Sequence, residues 1–227
     1  MNIFEHYLFS LSEAPISILD NGIPLNKYTS LDLSETNKEL KGVKITNPDA
    51  CQIYIEEEVL NKDNALVAYG GYLEKRNIYA DKSSFSGNEE TIRNIHLGID
   101  YWAKAGTNVI VPLEGVVHSF KNNNTSGDYG PTIILEHNLK GEQFYTLYGH
   151  LSIESLNNIV VGELLTKGDV LAQLGTPDIN VNYAPHLHFQ VIKDLGNYKG
   201  DYPGVCNQKD TTFYRNNCPN PNLLIKL

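Results

Sequence analysis

Short apolar runs recur along the second half of this chain and constrain its fold more than any other feature. Each run is rich in Val, Ile, Leu, Tyr and Thr and is bounded by Gly, Asn, Asp or Pro, a pattern typical of strands separated by turns. The runs are NVIVPL, GVVHSF, PTIILEH, QFYTLYGHL, VLAQL and HLHFQVI. Between residues 102 and 195, only the short SIESLNN hints at a helical apolar period. The sequence therefore predicts a mostly β fold, an antiparallel β-sheet or sandwich.

The rest of the chain is arranged around this predicted core. Residues 1–85 mix polar turns with short apolar pieces, and we predict an N-terminal extension packed on the core. Residues 86–195 form the predicted core domain, and residues 196–227 form a Pro- and Asn-rich C-terminal extension. The stretch ADKSSFSGNEE, residues 80–90, is rich in polar residues and is predicted to be a linker or exposed loop. A chain of 227 residues suits one domain with such additions, or one domain plus a small partner domain.

Composition and charge exclude several classes of partner. The net charge is −9, from 18 Lys and Arg against 27 Asp and Glu, and the basic residues form no stripe. Nucleic acid is therefore not an expected partner. No segment approaches the roughly 20 apolar residues of a membrane span. The first residues lack the basic and apolar regions of a signal peptide, which predicts a cytoplasmic protein.

The three cysteines, Cys51, Cys206 and Cys218, are an odd set with no CxxC spacing. Their surroundings read as loops, and free thiols in a reducing compartment are the favoured interpretation. A bridge between Cys206 and Cys218 is the less favoured alternative.

Two histidines stand one residue apart in the last apolar run, HLHFQVI. In a strand, residues i and i+2 face the same way, about 6.5 to 7 Å apart along the backbone. His186 and His188 therefore share one face with Gln190, while the alternating apolar residues take the other, buried face. A single histidine on a strand is usually structural, but a pair on one face makes both candidates for a metal site.

Further candidates come from HLGID and YTLYGHLS. His96 and Asp100 are four residues apart, and their β-branched and aromatic neighbours favour extended chain. Fully extended, their Cα atoms would lie roughly 13 Å apart, so both reach one ion only if the chain bends. Gly98 is expected to supply the bend, because glycine adopts a positive φ at little steric cost. His150, at the end of an aromatic run, is the third candidate. The remaining histidines, His6, His118 and His137, lie in no such context and are predicted to be structural.

The candidate residue types suit metal chemistry. Two neutral imidazoles and one carboxylate form a zinc site that leaves a position open for water, as in catalytic zinc sites. A histidine beside the metal can accept a proton or donate a hydrogen bond to a developing oxyanion. The same donors also form the facial triad of non-haem iron oxygenases, which stays an alternative.

These motifs resemble those of the lysostaphin-type zinc endopeptidases, which cleave peptide cross-links of bacterial cell walls. The similarity runs through HLGID, AGTNVIVPLEGVV, YGPTIILEH, FYTLYGHLS, VGELLTKGDVLAQLG and PHLHF, in the order of the family. It implies one zinc ion per chain, bound by His96, Asp100 and His188. It also implies that His150 and His186 flank the ion as catalytic residues, and that a metal-bound water hydrolyses a peptide or amide bond. The regions outside the core resemble a branch joined to kinase-like and aminotransferase domains.

One departure from the family concerns the substrate. Members that attack cell walls have a Gly-, Ser- and Thr-rich loop before the HxH motif and a Glu after it, whereas this chain has TPDINVNYAPHLHFQ. The predicted substrate is therefore a small peptide or amide. A catalytically inactive binding module is an alternative. A biotinyl or lipoyl carrier is another, suggested by VPLEGVV and VGELLTKGDVLAQLG, although Lys167 lies in the wrong local pattern for a modified lysine.

Overall fold

The computed structural model describes residues 1–78, 91–125, 127–180 and 182–227. Within these ranges the strands are β1 (Tyr28–Ser30), β2 (Val67–Gly70), β3 (Ile95–His96), β4 (Ile99–Trp102), β5 (Asn108–Ile110), β6 (Gly115–Asn123), β7 (Gly130–Leu139), β8 (Glu142–Gly149), β9 (Leu164–Leu165), β10 (Val170–Gln173), β11 (His186–Ile192) and β12 (Val205–Cys206). The helices are α1 (Ile3–Ser10), α2 (Pro48–Tyr54), α3 (Thr211–Asn217) and α4 (Asn222–Ile225), with a π-helical turn at Ile55–Leu60 and 3-10 turns at Leu25–Lys27, Lys38–Leu40 and Ile153–Leu156.

Most of these strands form one eight-stranded sheet in the order β1-β2-β4-β11-β8-β7-β6-β9. Its neighbouring strands are antiparallel except β1 and β2, which are parallel. Two small antiparallel sheets, β10-β5 and β12-β3, accompany it. The predicted mostly β fold with an antiparallel sheet is confirmed, and each apolar run singled out in the sequence contains a strand. The run SIESLNN contains only a 3-10 turn.

Strand β11 lies inside the large sheet, between β4 and β8, and all of its residues are buried. Its alternation sends Leu187, Phe189 and Val191 into the main hydrophobic core. His186 and His188 take the opposite face, as the sequence predicts. A shift of one residue in the pairing would exchange the two faces, so burial of the apolar set fixes the register that places the histidines.

The N-terminal and C-terminal regions complete the core. Strands β1 and β2 extend the large sheet at one edge, and α1 buries Phe4 and Leu8 in the main core. From the C-terminal side, β12 pairs with β3, and the carbonyl of Ile225 accepts a hydrogen bond from the amide of Ile16 at 2.9 Å. The predicted linker, residues 80–90, lies outside the described residues. The division at residues 85 and 195 stays a prediction.

The helices are short, and the first two are capped by Asn residues. Asn2 accepts a hydrogen bond from the amide of Glu5 at 2.9 Å, and Glu5 in turn accepts one from the amide of Asn2 at 2.7 Å, which is a capping box. Asn47 caps α2 through the amide of Ala50, and Pro48 occupies the first helical position. None of the helices in the described ranges has the length and apolar character needed to cross a bilayer.

All three cysteines are free thiols, as predicted, and all are buried. The expectation that they lie in loops is wrong for two of them, because Cys51 lies in α2 and Cys206 in β12. Burial raises the pKa of Cys51 and of Cys218 to about 12. Both thiols therefore stay protonated at neutral pH and behave as small apolar side chains.

His137 is a structural histidine, and its burial gives a testable pH dependence. Its Nδ1 contacts the carbonyl of Glu114 and its Nε2 contacts the hydroxyl of Thr146, each at 2.7 Å, while the ring stacks on Phe144. Burial lowers the pKa of His137 from 6.5 to about 4. The unfolded chain therefore binds this proton at a higher pH than the folded protein does, and stability is lost as the pH falls from about 6.5 to 4.

Between pH 6.5 and 4, we expect His137→Gln to lose up to about 3 kcal/mol less of its free energy of unfolding than the wild type does. The reason is that glutamine takes up no proton in this pH range. Urea unfolding of both proteins at several pH values, in the presence of a chelator, measures the effect. An identical pH slope in the two proteins would contradict it.

Candidate metal centre

Three side chains converge where β3, β4 and β11 meet. In the pairing of β4 with β11, His188 lies opposite Asp100, and the pairing brings Oδ1 of Asp100 within 3.1 Å of Nδ1 of His188. Nε2 of His96 lies 2.8 Å from the same Nδ1 and 3.2 Å from Oδ1 of Asp100. Each of the three residues is 2% exposed. Among the described residues they are a group of His and carboxylate side chains arranged to hold a metal ion.

The chain reaches this geometry by bending at Gly98, between β3 and β4. The sequence predicted the bend, but the expected positive φ is not what requires glycine here, because Gly98 is not among the residues with positive φ. Close approach is the reason. A Cβ at this position would lie 2.6 Å from the carbonyl oxygen of Phe189 and 2.8 Å from the ring of His188. Any side chain would therefore push the strand away from its partner.

The far nitrogens of the two imidazoles are both held by carbonyl oxygens. Nδ1 of His96 lies 3.0 Å from the backbone oxygen of Gly71, and Nε2 of His188 lies 2.9 Å from Oε1 of Gln190. A carbonyl oxygen only accepts, so these two nitrogens carry the protons. The nitrogens that face each other, Nε2 of His96 and Nδ1 of His188, are then both unprotonated. Each carries a lone pair beside the carboxylate of Asp100. Such a donor set fits a cation.

The electrostatics of the cluster agree with this protonation state. Burial lowers the pKa of His96 to about 4, with the Arg76 guanidinium acting in the same direction. Burial alone would raise the pKa of Asp100, but His96 and Arg76 lower it, and the balance holds that pKa well below its ordinary value. His96 is thus neutral and Asp100 ionised at neutral pH, the forms in which both ligate metals.

His186 approaches the same cluster from β11. Its Nδ1 donates to the carbonyl of Ala184 at 2.7 Å, which leaves Nε2 as the free nitrogen, 4.0 Å from Oδ1 of Asp100. The ring stacks on Trp102 with centroids 4.1 Å apart. Burial lowers the pKa of His186 to about 4. This neutral imidazole points its lone pair at the cluster without belonging to the group of three.

His150 stands beside His186 at the end of β8, with ring centroids 4.1 Å apart. Its φ is 63°, in the left-handed region that residues other than glycine seldom adopt. Backbone bonds hold it there, because its amide donates to Tyr129 at 2.8 Å and its carbonyl accepts from Gly175 at 3.0 Å. Burial and the neighbouring His186 lower its pKa well below 6.5. Its buried Nδ1 has no hydrogen-bond partner among the described residues, so it is available to a ligand.

The cluster lines a cavity of about 280 Å³. Both terminal regions contribute to its walls. Aromatic and charged side chains on the walls are Trp102, Tyr129, Tyr183, Tyr198, Tyr202, Arg76, Arg93, Asp128 and Asp201. The space therefore offers stacking surfaces and charges of both signs around the histidines.

The structure brings together all five residues singled out in the sequence, namely His96, Asp100, His150, His186 and His188. Sequence reasoning missed Gly71 and Arg76, which contact His96 and Asp100 from outside the predicted core. No local pattern in GGYLEKRNIY marks them. Gln190 was placed on the same face as His188, and that alternation was the available signal for its role.

Comparison with known proteins finds relatives that share the region of this site. Residues 94–200 match the family model of Peptidase family M23. A curated relative from Haemophilus influenzae, named as an uncharacterized metalloprotease, is 35% identical over 95 residues. The matched part is 42% of this chain but 18% of that relative, so the chain spans less than a fifth of the relative's length.

Solved structures with similar sequences include two peptidases. The catalytic domain of the antimicrobial peptidase lysostaphin from Staphylococcus simulans is 26% identical, with 54% of this chain and 80% of that chain covered and a TM-score of 0.38. A zinc containing peptidase from Vibrio cholerae is also 26% identical, with 43% and 27% covered and a TM-score of 0.36. The match to Peptidase family M23 spans every candidate residue from His96 to His188.

Proposed function

We propose that this domain is a zinc-dependent hydrolase that cleaves a peptide or amide bond. The observation that carries the proposal is the pair of imidazole lone pairs, on His96 and His188, that face each other beside the carboxylate of Asp100. Two neutral imidazoles and one carboxylate are a donor set of catalytic zinc sites. The match to a peptidase family and the name of the curated relative support the same chemistry.

His96, Asp100 and His188 would hold one zinc ion per chain. When bound, zinc would act as a Lewis acid that polarises a carbonyl group and lowers the pKa of a bound water to about 7. The protein supplies the orientation, because Gly71 and Gln190 fix which nitrogen of each imidazole faces the site. Such outer hydrogen bonds set both the tautomer and the direction of a ligand.

His186 and His150 would handle protons beside the metal. His186 presents Nε2 because its Nδ1–H is engaged by Ala184, so we assign it as the base that takes the proton of the attacking water. Trp102 covers one face of its ring and keeps that side dry. His150 lines the cavity, its Nδ1 has no hydrogen-bond partner among the described residues, and its backbone is fixed by Tyr129; it would donate a hydrogen bond to the oxyanion that develops from the scissile carbonyl.

The alternatives are less well supported. A catalytically inactive binding module is not favoured, because the candidate ligands and both flanking histidines are present in a peptidase-family domain. An iron oxygenase would need no second pair of histidines beside the ligands. The small size of the substrate, the cytoplasmic location and the relation to a branch joined to kinase-like and aminotransferase domains stay predictions.

Metal analysis of the purified protein together with a peptide and amide cleavage screen tests the proposal. We expect one zinc per chain, loss of hydrolysis after chelation, and recovery when zinc is restored. A matched pair of variants is His188→Ala, expected to lose zinc and activity, and His6→Ala, an exposed histidine on α1 expected to keep both. Iron as the native metal, or zinc retained by His188→Ala, would contradict the proposal.

A further inference from the structure

A short segment outside the family-matched region contacts two of the three candidate ligands. The backbone oxygen of Gly71 lies 3.0 Å from Nδ1 of His96. Nη1 of Arg76 lies 2.5 Å from Oδ2 of Asp100, and both side chains are 2–3% exposed. The family match begins at residue 94, so these partners come from a part of the chain that the family model does not include.

Backbone pairing holds this segment against β3. The amide of Leu73 donates to the carbonyl of His96 at 2.9 Å, the amide of His96 donates to Glu74 at 3.0 Å, and the amide of Arg76 donates to Asn94 at 2.9 Å. Residues 71–76 are therefore held beside His96 by backbone hydrogen bonds to its strand.

Gly71 makes the close approach possible. Its φ is 104°, a backbone conformation that residues with a side chain rarely adopt. A Cβ at this position would lie 1.9 Å from Nη2 of Arg76 and 3.0 Å from Nδ1 of His96. The absence of a side chain at position 71 thus lets one backbone turn touch both His96 and the guanidinium.

Arg76 lies between two carboxylates. Its Nε donates to Oε2 of Glu74, and its Nη1 donates to Oδ2 of Asp100. Glu74 is itself fixed, because its Oε1 accepts from the amide of Leu33 at 3.0 Å. The planar guanidinium can span both acids at once, which a lysine ammonium cannot do with the same geometry. With Oδ2 taken by Arg76, Asp100 presents Oδ1 to His96 and His188.

We infer that Arg76, held by Glu74, is a positioning residue for the metal ligand Asp100, and that residues 71–76 are a working part of the metal centre. The inference rests on the proposed function, since it assigns a role toward the zinc ion. It predicts that Arg76 acts through geometry: by binding Oδ2 it sets the rotation of the carboxylate and keeps one oxygen directed at the two imidazoles.

A purely structural ion pair is the competing explanation, and metal binding separates the two. We would prepare Arg76→Gln, which removes the charge, and Arg76→Lys, which keeps the charge but not the fork. Lys75→Gln is the matched control, because Lys75 is the next residue, points outward with 49% of its side chain exposed, and pairs with Glu35 at 2.9 Å. Zinc affinity is measured by competition with a chromogenic chelator at fixed pH, and site geometry by the visible spectrum of the Co²⁺ form.

We expect both Arg76 variants to bind zinc about 10- to 100-fold more weakly, as is usual when an outer partner of a ligand is lost. Their Co²⁺ spectra should change, and Lys75→Gln should match the wild type in both measurements. Unchanged or stronger zinc binding by Arg76→Gln, or full affinity in Arg76→Lys, would overturn the inference.

A second variant covers the case in which Arg76→Gln fails to fold. The double substitution Glu74→Gln and Arg76→Met removes both charges of the Glu74–Arg76 pair, so Asp100 is the one carboxylate of the two that loses its partner. The same weakening of zinc binding is expected, and wild-type affinity in this folded variant would overturn the inference. A wild-type protein that binds neither zinc nor Co²⁺ would instead refute the proposed function, so the two failures are distinguishable.

Discussion

Alanine at Asp100 is expected to give a folded protein that no longer retains zinc. The substitution removes the only carboxylate of the candidate ligand set and leaves two imidazoles, His96 and His188. We expect the affinity to fall by more than the roughly 10- to 100-fold that follows loss of an outer partner. Dialysis against a weak chelator, followed by elemental analysis, measures the retained metal.

The fold should survive this change because the site contributes little to the core. Apolar residues on the opposite face of β11, such as Leu187 and Phe189, belong to the main core and are unaffected. Arg76, which loses Asp100, keeps its bond to Glu74, so its charge stays paired. Asp169→Ala, at an exposed turn before β10, is the control for loss of a carboxylate. If Asp100→Ala loses its cooperative thermal transition, the site is structural rather than catalytic.

The second large effect is expected at the two histidines that do not ligate. His186→Ala and His150→Ala should each keep one zinc per chain and lose on the order of 100-fold or more in kcat. His186 lies 4.0 Å from Asp100 and engages Ala184, so its removal leaves the three candidate ligands and their partners in place. The ring contacts of His150 are with His186, Tyr129 and Tyr183, none of which is a candidate ligand.

Steady-state kinetics on a cleaved peptide, with metal content measured on the same samples, decides this prediction. His186→Gln adds a useful comparison, because glutamine keeps a polar side chain without a basic nitrogen. It should remain as slow as the alanine variant if proton transfer is the function of His186. Full turnover in both alanine variants, with full metal, would show that neither histidine takes part.

The sequence predicted the strands and the candidate residues because both depend on local patterns. Alternation in HLHFQVI determines which side chains share a face, and burial of Leu187, Phe189 and Val191 enforces it. The bend at Gly98 was predicted, but positive φ, the predicted reason for glycine there, is wrong. Its need for glycine comes from the proximity of His188 and Phe189 in β11. These residues lie about 90 positions further along the chain, so no local pattern could reveal the contact.

The partners of the ligands could not be predicted for the same reason. Arg76 reaches Asp100 across 24 residues of sequence, and its place depends on pairing with Asn94 and on support from Glu74. Nothing in the composition of residues 71–76 distinguishes that segment from an ordinary turn. The joining of β1 and β2 to the large sheet is likewise a result of tertiary pairing.

The position of β11 has a consequence for the order of events during folding. This strand follows β4 and β8 in the chain, yet it lies between them, so both of its neighbours must await the synthesis of residues 186–192 before the sheet can close. Closure then requires pairings that span long stretches of sequence, which are slow to form. We expect the metal-binding group to be among the last parts assembled, so that zinc would meet a nearly finished protein and could not guide its early collapse.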